Sequence, residues 1–312
     1  MNSGQNTQQL QLVNVPFQKP TSHQAQRLFH GRSHIYKGYK HIAIDWLSPV
    51  LLITLYQQVA ASELKQLAEK LFSAVAECSS VQVQYRYQKT GPIELLIGEI
   101  CTETIVEEND LKYQITLGRA RNTGLFLDMK NGRDWVKNNA QGKRVLNLFS
   151  YTCAFSIAAI SCDAASVFNI DMSKQSLSTG RDNHRLNDHD TDKVSFDSLD
   201  IFKSFGRIKR SGPYDLLICD PPSFQKGSVD IKRDYKKIIR RIPEFMNPGG
   251  LLMLCLNSPD LDTEFLKKTV ADECTACHYI SEILPPAIFK NAIDEQGLKV
   301  LIYQYRNGIS SI

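Results

Sequence analysis

Hydrophobic and polar positions follow one rhythm up to about residue 117 of the 312-residue chain and a different rhythm after it. In the first part, most apolar segments are short and either alternate with polar residues or run together, which predicts strands. Segment 62–77 differs, because four of its apolar residues recur at helical spacing: Leu64, Leu67, Ala68 and Leu71. We therefore expect a small α+β domain over residues 27–117.

After Gly118, strand-like and helix-like segments alternate. The strand-like segments include "KRVLNLF", "AASVFNID", "YDLLICD" and "GGLLMLCLN". Repeated β-α units predict a mostly parallel sheet with helices on both faces, because parallel strands need crossover connections. We expect a Rossmann-like α/β domain over residues 118–312. Residues 1–26 are polar and rich in glutamine, and we expect them to form a flexible arm.

Polar residues stand where the predicted parallel strands end, which is where ligands bind in such sheets. The loop after the first of these strands, 147–155, contains no glycine and therefore no dinucleotide phosphate cradle. Asp171 ends the second strand and can accept both hydroxyls of a ribose. Asp200 ends the third strand beside Ile201, as a partner for an adenine amino group and ring. A nucleoside site without a phosphate cradle suits S-adenosylmethionine.

The fourth strand ends in Asp220-Pro221-Pro222, followed by Phe224. The prolines fix φ and remove two backbone donors, which favours a rigid loop. Its carbonyl and carboxylate oxygens would point at a planar acceptor on which Phe224 stacks. A proline turn at a sheet edge would explain the same motif, but the aspartates at neighbouring strand ends favour a methyl-transfer site.

Composition narrows the class of protein. Apolar residues make up 42% and charged residues 22%, as in ordinary globular proteins. No apolar run approaches the ~20 residues of a membrane span, and the N-terminus lacks a secretory profile. We therefore expect a cytoplasmic protein with no membrane partner, whose eight cysteines are reduced thiols.

One local motif indicates a different class of protein, one that carries haem. Cys274-Thr-Ala-Cys277-His278 matches the attachment motif of c-type haem. That chemistry requires export, and no second Cys/His pair has the spacing of a zinc site. We expect no haem and no metal.

Six segments together resemble the class I methyltransferases that modify large-subunit ribosomal RNA, in their cytosine-C5 and guanine-N7 branches. The segments are "RLFHGRSHIY" (27–36), "RNTGLFLDMK" (121–130), "VLNLFSYTCAFS" (145–156), "NIDMSKQSL" (169–177), "NHRLN" (183–187) and "DPPSF" (220–224). The resemblance implies a seven-stranded, mostly parallel sheet, S-adenosylmethionine as cofactor, and RNA as partner. A monomer and a homodimer both remain open.

The resemblance also implies a role for individual residues. The approach to the cofactor would be formed by Thr123, Gly124, Phe126 and Asp128. The methionine part would be lined by Asn147, Phe149 and Tyr151. The nucleoside would be held by Asp171 with Met172 and Ser173, and by Asp200 with Ile201, while Asp220 borders cofactor and base.

Two departures from the family matter. Cys153 stands where the family usually has glycine, and the N-terminal RNA-binding module of the cytosine branch (the PUA type) is replaced by a short arm. The cytosine branch also needs a cysteine that adds to the base, at the position of Asn257 here. Cys255 is two residues earlier, in an apolar run. We expect Asn257 and Asp220 to orient the base and no cysteine to take part.

Basic residues cluster in three places, among them a predicted helix after the proline loop. The net charge is +4. We expect Lys236 and Arg240 on that helix to contact RNA, and Arg32 to clamp a phosphate. Each cluster taken alone is equally well a solvated face. A small-molecule methyltransferase and a catalytically silent RNA-binding relative are the alternatives, but the basic rim and the intact aspartates favour an RNA enzyme.

Overall fold

The computed structural model describes residues 11–222, 224–225, 229–292 and 297–306. The chain divides into two compact units: Met1–Glu107 with Ile115–Thr123, and Glu108–Gln114 with Gly124–Ile312. The sequence places a single boundary after Leu117, whereas the tip of a β-hairpin belongs to the second unit. The hairpin tip belongs there because its residues Glu108 and Tyr113 contact Arg133 of the second unit. The pattern of apolar residues along the sequence does not reveal such a polar contact.

The first, smaller unit contains one five-stranded sheet with strands in chain order. Its strands are β1 (Gln26–His30), β2 (Ile42–Leu47), β3 (Val50–Leu55), β4 (Ser80–Tyr85) and β5 (Ile93–Gly98). Helix α1 (Ala61–Ala74) crosses between β3 and β4, the one parallel pair among these strands. The four apolar residues predicted to share a helix face are all buried on α1. This unit is therefore the α+β arrangement that the pattern indicates.

The segment before β1 differs from the flexible arm expected over 1–26. Residues 11–25 are described, and Leu12 and Val15 are buried in the core of the smaller unit. The Nζ of Lys70 donates to the Val13 carbonyl at 2.7 Å. The polar average composition of residues 1–26 gives no indication that these two apolar residues are buried. Residues 1–10 lie outside the described part of the chain.

A hairpin of β6 (Glu103–Glu108) and β7 (Leu111–Thr116) follows. The second unit then forms a seven-stranded sheet in the order β10-β9-β8-β11-β14-β16-β15. Its strands are β8 (Arg144–Leu148), β9 (Ser166–Asp171), β10 (Val194–Ser198), β11 (Tyr214–Cys219), β14 (Met246–Leu256), β15 (Cys277–Glu282) and β16 (Lys299–Tyr305). The first five are parallel, and β16 is antiparallel to both of its neighbours. The predicted Rossmann-like fold is confirmed.

Seven helices accompany these strands in the described part of the second unit. They are α2 (Lys130–Asn139), α3 (Ala154–Ile160), α4 (Lys174–Leu186), α5 (Phe205–Ser211), α6 (Ile231–Ile239), α7 (Ile242–Phe245) and α8 (Thr263–Glu273). A two-stranded ribbon of β12 (Phe224–Gln225) and β13 (Val229–Asp230) lies between β11 and α6. None of the described helices is both long and apolar enough to cross a membrane.

The helix predicted after the proline loop, "DIKRDYKKIIRRIPEF" (230–245), is divided into α6 and α7. Pro243 lies in the first turn of α7, where its missing N–H costs nothing. In the interior of one continuous helix it would lack a donor and clash with the preceding turn. The break follows from this one residue.

The register of the parallel strands brings their carboxyl ends to one edge of the sheet. Leu148 on β8 pairs with Ile170 on β9 and with Cys219 on β11. Cys219 in turn pairs with Leu254 on β14. The loops that follow these strands therefore start side by side, as the sequence predicts for the candidate site.

The ion pair between Arg133 and Glu108 is almost fully buried, with exposed side-chain fractions of 3% and 1%. The guanidinium donates twice, from Nε to Oε1 at 2.6 Å and from Nη2 to Oε2 at 2.7 Å. Burial works to lower the pKa of Arg133, but Glu108, Tyr113 and Asp128 together outweigh it and the pKa is raised. Arg133 thus stays charged inside the protein.

Arg133→Met should lower the free energy of unfolding by about 3–5 kcal/mol, because it leaves the Glu108 carboxylate buried without a partner. The double variant Arg133→Met/Glu108→Leu should recover most of this loss, since apolar residues of similar volume often replace a buried pair at little cost. Urea unfolding measures both. Arg185→Met, which removes an exposed pair with Asp182, is the control and should cost under about 1 kcal/mol. A double variant as unstable as the single one would contradict this account.

Candidate active site

The loop after β8 has an unusual backbone. Three of its residues have positive φ: Phe149 at 58°, Tyr151 at 46° and Cys153 at 62°. Such conformations are costly for residues other than glycine and persist only where the surroundings impose them. Here the N–H of Ser150 donates to the Ile170 carbonyl at 3.0 Å, which fixes the loop to β9.

The Asp171 carboxylate at the end of β9 holds the same loop. Its Oδ2 accepts from the Tyr151 N–H at 2.9 Å, and its Oδ1 accepts from the Ser173 N–H at 2.8 Å. Each carboxylate oxygen can accept a second hydrogen bond, and Asp171 is only half-buried. Lone pairs therefore remain on Asp171 for two further donors, and its binding of the ribose hydroxyls stays a prediction.

The two residues after Asp171 have different surroundings. Met172 is exposed, and its carbonyl accepts from the Ser198 hydroxyl at 3.1 Å. The Ser173 hydroxyl caps α4 by accepting from the Ser176 N–H at 3.1 Å. Ser173 thus starts the helix, and its backbone N–H orients Asp171.

Asn147, the next-to-last residue of β8, begins a buried chain of hydrogen bonds. Its Nδ2 donates to Asn169 Oδ1 at 2.8 Å, and Asn169 Nδ2 donates to Ser156 Oγ at 3.0 Å. The Ser156 hydroxyl lies 2.9 Å from His184 Nε2, and His184 Nδ1 lies 3.1 Å from His189 Nδ1. The Asn147 amide is therefore held in one orientation. Sequence reasoning identified Asn147 but missed the chain behind it.

The segment "NHRLN" supplies much of this support. Asn183 donates to the Thr152 carbonyl at 3.1 Å and accepts from the Gln114 N–H at 2.7 Å. Asn187 accepts from the Lys112 N–H and donates to the Lys112 carbonyl, both at 2.8 Å. These asparagines connect α4 with the β8 loop and with β7. In the sequence, only the four-residue spacing of these asparagines, which places both on one face at the C-terminal end of α4, indicates this role.

The segment before α2 approaches the β8 loop. The Gly124 carbonyl, at a φ of 117° that requires glycine, accepts from the Thr152 hydroxyl at 2.5 Å. The rings of Phe126 and Tyr151 are 5.6 Å apart, and Phe126 is 41% exposed. Gly124 and Phe126 therefore lie beside the β8 loop, and their role in the approach to the cofactor stays a prediction. Thr123 belongs to the segment that clusters with the smaller unit.

Asp200 has two partners of its own. Its Oδ1 accepts from the Phe202 N–H at 3.0 Å, and its Oδ2 lies 3.3 Å from Lys203 Nζ. Ile201 is buried in the core, and the Phe202 ring is 6.3 Å from that of Phe149. The end of β10 is thereby connected to the β8 loop.

Asp220 directly follows β11. Burial raises the pKa of its carboxyl group to about 7, with the nearby Asp128 carboxylate adding to the rise and Arg133 opposing it. Pro221 is buried and Pro222 half-buried. The side chain of Phe224 lies outside the described residues. Perturbed carboxyl groups of this kind are typical of functional sites.

Asn257 and Cys255 differ in exposure. Cys255, on β14, is fully buried, and burial raises the pKa of its thiol well above 9, with Asp220 contributing. Asn257 comes directly after β14 and is exposed. Asn257 thus presents an amide next to the sheet edge, whereas burial keeps the Cys255 thiol protonated.

The predicted RNA contacts have unequal surroundings. Arg240 forms an ion pair with Glu273 at 2.7 Å, whereas Lys236 is exposed and forms no ion pair within the described chain. Arg32 lies over the Tyr56 ring, with 4.4 Å between Cζ and the ring centroid. Much of the basic face of α6 is neutralised, because Asp234 pairs with both Arg233 and Lys237.

Cys153 fits its position because of Gly180 on α4. A Cβ added to Gly180 would lie 2.5 Å from the Cys153 Sγ and 3.0 Å from its Cβ. Burial also raises the pKa of the Cys153 thiol to about 12, so the thiol is chemically inert. Cysteine and glycine at these two positions form one packing unit.

Gly180→Ala should lower the free energy of unfolding by about 1–3 kcal/mol through overpacking against Cys153. In a Cys153→Gly background the same change should be neutral or stabilise by up to about 1 kcal/mol, because alanine favours the helix. Urea unfolding of the four proteins gives the coupling energy. Gly206→Ala on α5, where an added Cβ meets only the Arg210 side chain at 3.9 Å, is the control. Additive effects at 153 and 180 would refute the packing unit.

Comparisons with known proteins identify the family of the chain. The ribosomal RNA large subunit methyltransferase I of Shewanella frigidimarina is 31% identical over 245 residues, 75% of this chain and 62% of that protein. The enzyme of the same name from Aliivibrio fischeri is 31% identical over 254 residues, 77% of this chain and 63% of the relative. The chain therefore spans less than two thirds of the length of these relatives.

Among solved structures, SMU.776, a methyltransferase complexed with SAH, matches with a TM-score of 0.81 and 26% identity. The match covers 90% of this chain and 75% of that one. The complex of aTrm5 and tRNALeu matches with a TM-score of 0.59 at 16% identity, over 83% of this chain and 70% of that one, which shows a shared fold alone.

A family profile described as S-adenosylmethionine-dependent methyltransferase matches residues 26–304. The match spans most of the described chain and includes each strand end discussed above. S-adenosylmethionine, expected from the sequence, is thereby confirmed as the cofactor of the family. The chain belongs to the S-adenosylmethionine-dependent methyltransferase family.

Proposed function

We propose that the protein transfers a methyl group from S-adenosylmethionine to a base nitrogen of large-subunit ribosomal RNA, with guanine N7 as the acceptor that fits its site best. The names of the similar enzymes support the RNA class. The residues at the ends of β11 and β14 support the choice of a nitrogen.

The residues present fit the cofactor. Asp171 has lone pairs left for two hydroxyls, and Asp200 stands at the next strand end beside Ile201. The Asn147 amide, oriented by Asn169, would meet the methionine part together with Phe149 and Tyr151. The loop after β8 has no glycine-rich phosphate cradle. This set of donors and acceptors suits a nucleoside joined to an amino acid better than a dinucleotide.

The observation that carries the choice of atom is the burial of Cys255. Methylation of cytosine C5 needs a thiolate that first adds to the ring, and burial raises the pKa of this thiol well above 9. Guanine N7 carries a lone pair and needs no covalent step. Asn257 and Asp220, at the ends of adjacent strands, would instead hold the base by hydrogen bonds.

S-adenosylmethionine supplies the electrophilic methyl group. The ionised Asp220 carboxylate would accept from the guanine N1–H and amino group, on the edge of the base away from N7. Methylation of N7 makes the base cationic and releases no proton, so no general base is required. The negative charges of Asp220 and Asp128 would stabilise that developing positive charge.

The proline loop would complete the base pocket. Pro221 and Pro222 restrict the backbone after Asp220, and Phe224 would stack on the base. A base inside folded RNA must be flipped out before it enters such a pocket. Lys236 would contact the flanking backbone, whereas Arg240 would first have to leave Glu273.

Methyl transfer to large-subunit ribosomal RNA tests the proposal. Cys255→Ala should keep most of the activity, since the thiol takes no part, whereas Asn257→Ala should lose at least tenfold in kcat/KM with the loss of a base contact worth about 1.5 kcal/mol. Cys219→Ala, which removes another fully buried thiol on the adjacent strand, controls for lost packing. A covalent adduct through Cys255 on 5-fluorocytosine-substituted RNA would overturn the proposal.

The rate should also depend on pH. Because the Asp220 carboxyl group has a pKa of about 7, its base-binding ionised form is lost as the pH falls through 7. We therefore expect kcat/KM, which reports the pKa of the free protein, to rise up to about pH 7 and then level off. Asp128→Asn removes a neighbouring negative charge and should move the inflection to lower pH. Asp220→Asn should abolish it, and an inflection that survives in this variant would exclude Asp220 as its source.

A further inference from the structure

Asp234 and Glu273 neutralise much of the basic face of α6, whereas one group of arginines in the smaller unit has no such partners within the described chain. Within the described chain, three of its arginines form no ion pair: Arg32, Arg86 and Arg121. Their neighbours Arg27 and Arg119 pair with Asp45 and Glu103. The unpaired arginines therefore stand out against similar residues close by.

Two of these arginines bind each other's backbone. Arg121 Nη2 donates to the Arg86 carbonyl at 2.8 Å, and Arg86 Nη1 donates to the Arg121 carbonyl. The buried Gln84 amide also donates to the Arg121 carbonyl at 3.2 Å. These bonds hold each guanidinium group against the backbone of the other arginine, although like charges repel.

Arg32 is fixed in a different way. Its guanidinium lies over the Tyr56 ring at 4.4 Å, and Arg32 is exposed. A guanidinium that stacks on an aromatic face keeps its N–H donors available at its edge. The contact therefore orients Arg32 without using its hydrogen-bonding capacity.

The three arginines also share one electrostatic environment. Burial lowers the pKa of Arg86, and the positive charges of Arg121 and Arg32 lower it further, while Tyr56 opposes them. No carboxylate contributes. Such a cluster repels itself in the free protein, and an anion bound to it would relieve the repulsion.

We propose that Arg32, Arg86 and Arg121 form a phosphate-binding site for the RNA backbone, a site that deepens the proposed function and rests on it. Arg32 and Arg121 would contact phosphate oxygens, since guanidinium groups match phosphate geometry. Arg86 would hold the 121 loop in place and add its charge. The smaller unit would thus contribute to RNA affinity and not to the chemical step.

The test is the salt dependence of RNA binding, measured by fluorescence anisotropy on a ribosomal RNA fragment. Arg32→Gln and Arg121→Gln should each reduce the slope of log Kd against log salt by about 0.7–0.9, the value for one lost phosphate contact. Arg119→Gln is the matched control. It removes an arginine two residues from Arg121 whose charge Glu103 already balances, and it should leave the slope unchanged.

Two further measurements separate this site from the proposed function. S-adenosylmethionine affinity and kcat at saturating RNA should be unchanged in Arg32→Gln and Arg121→Gln, while KM for RNA rises. If both variants bind RNA with the wild-type slope, or Arg119→Gln reduces it equally, the phosphate site is refuted and the methyl-transfer proposal stands. If wild-type protein transfers no methyl group to RNA but shows the expected slopes, the function fails and the phosphate site stands.

Discussion

The hydrogen bond from the Tyr151 N–H to the Asp171 carboxylate is the interaction on which the candidate site depends. It holds a loop with three positive-φ residues against the end of the neighbouring strand. The remaining geometry follows from it, because the Thr152 hydroxyl reaches the Gly124 carbonyl and Phe126 meets the Tyr151 ring from that loop. One carboxylate thus binds the protein's own backbone and keeps lone pairs for the ribose hydroxyls of the proposed function.

Much of the fold could be predicted from the sequence because the main signals are local. The alternation of strands and helices predicts the parallel sheet, and the aspartates at strand ends predict the edge at which the site lies. Pro243 divides a predicted helix, and Leu12 and Val15 anchor a segment expected to be flexible. These departures arise from single residues inside segments whose average composition indicates something else.

The residues of the candidate site could be proposed from the sequence, but the residues that support them could not. Asp171, Asp200 and Asp220 stand out because charged residues follow buried strands. Gly180, Asn169 and His184 contact the site from elements distant in the chain, and only the folded structure brings them together. A count of basic residues does not give the unpaired charge for the same reason, since Glu273 and Asp234 neutralise much of α6.

The buried chain from Asn147 to His189 has a direction. If each donor meets an acceptor, the Ser156 hydroxyl donates to His184 Nε2, and His184 Nδ1–H donates to His189 Nδ1. Both imidazoles are then neutral single tautomers, in accord with burial, which lowers the pKa of His184 to about 3 and also lowers that of His189. A proton added at His189 would place two donors face to face. The Asn147 amide on β8 therefore keeps its orientation when the surrounding solution becomes mildly acidic.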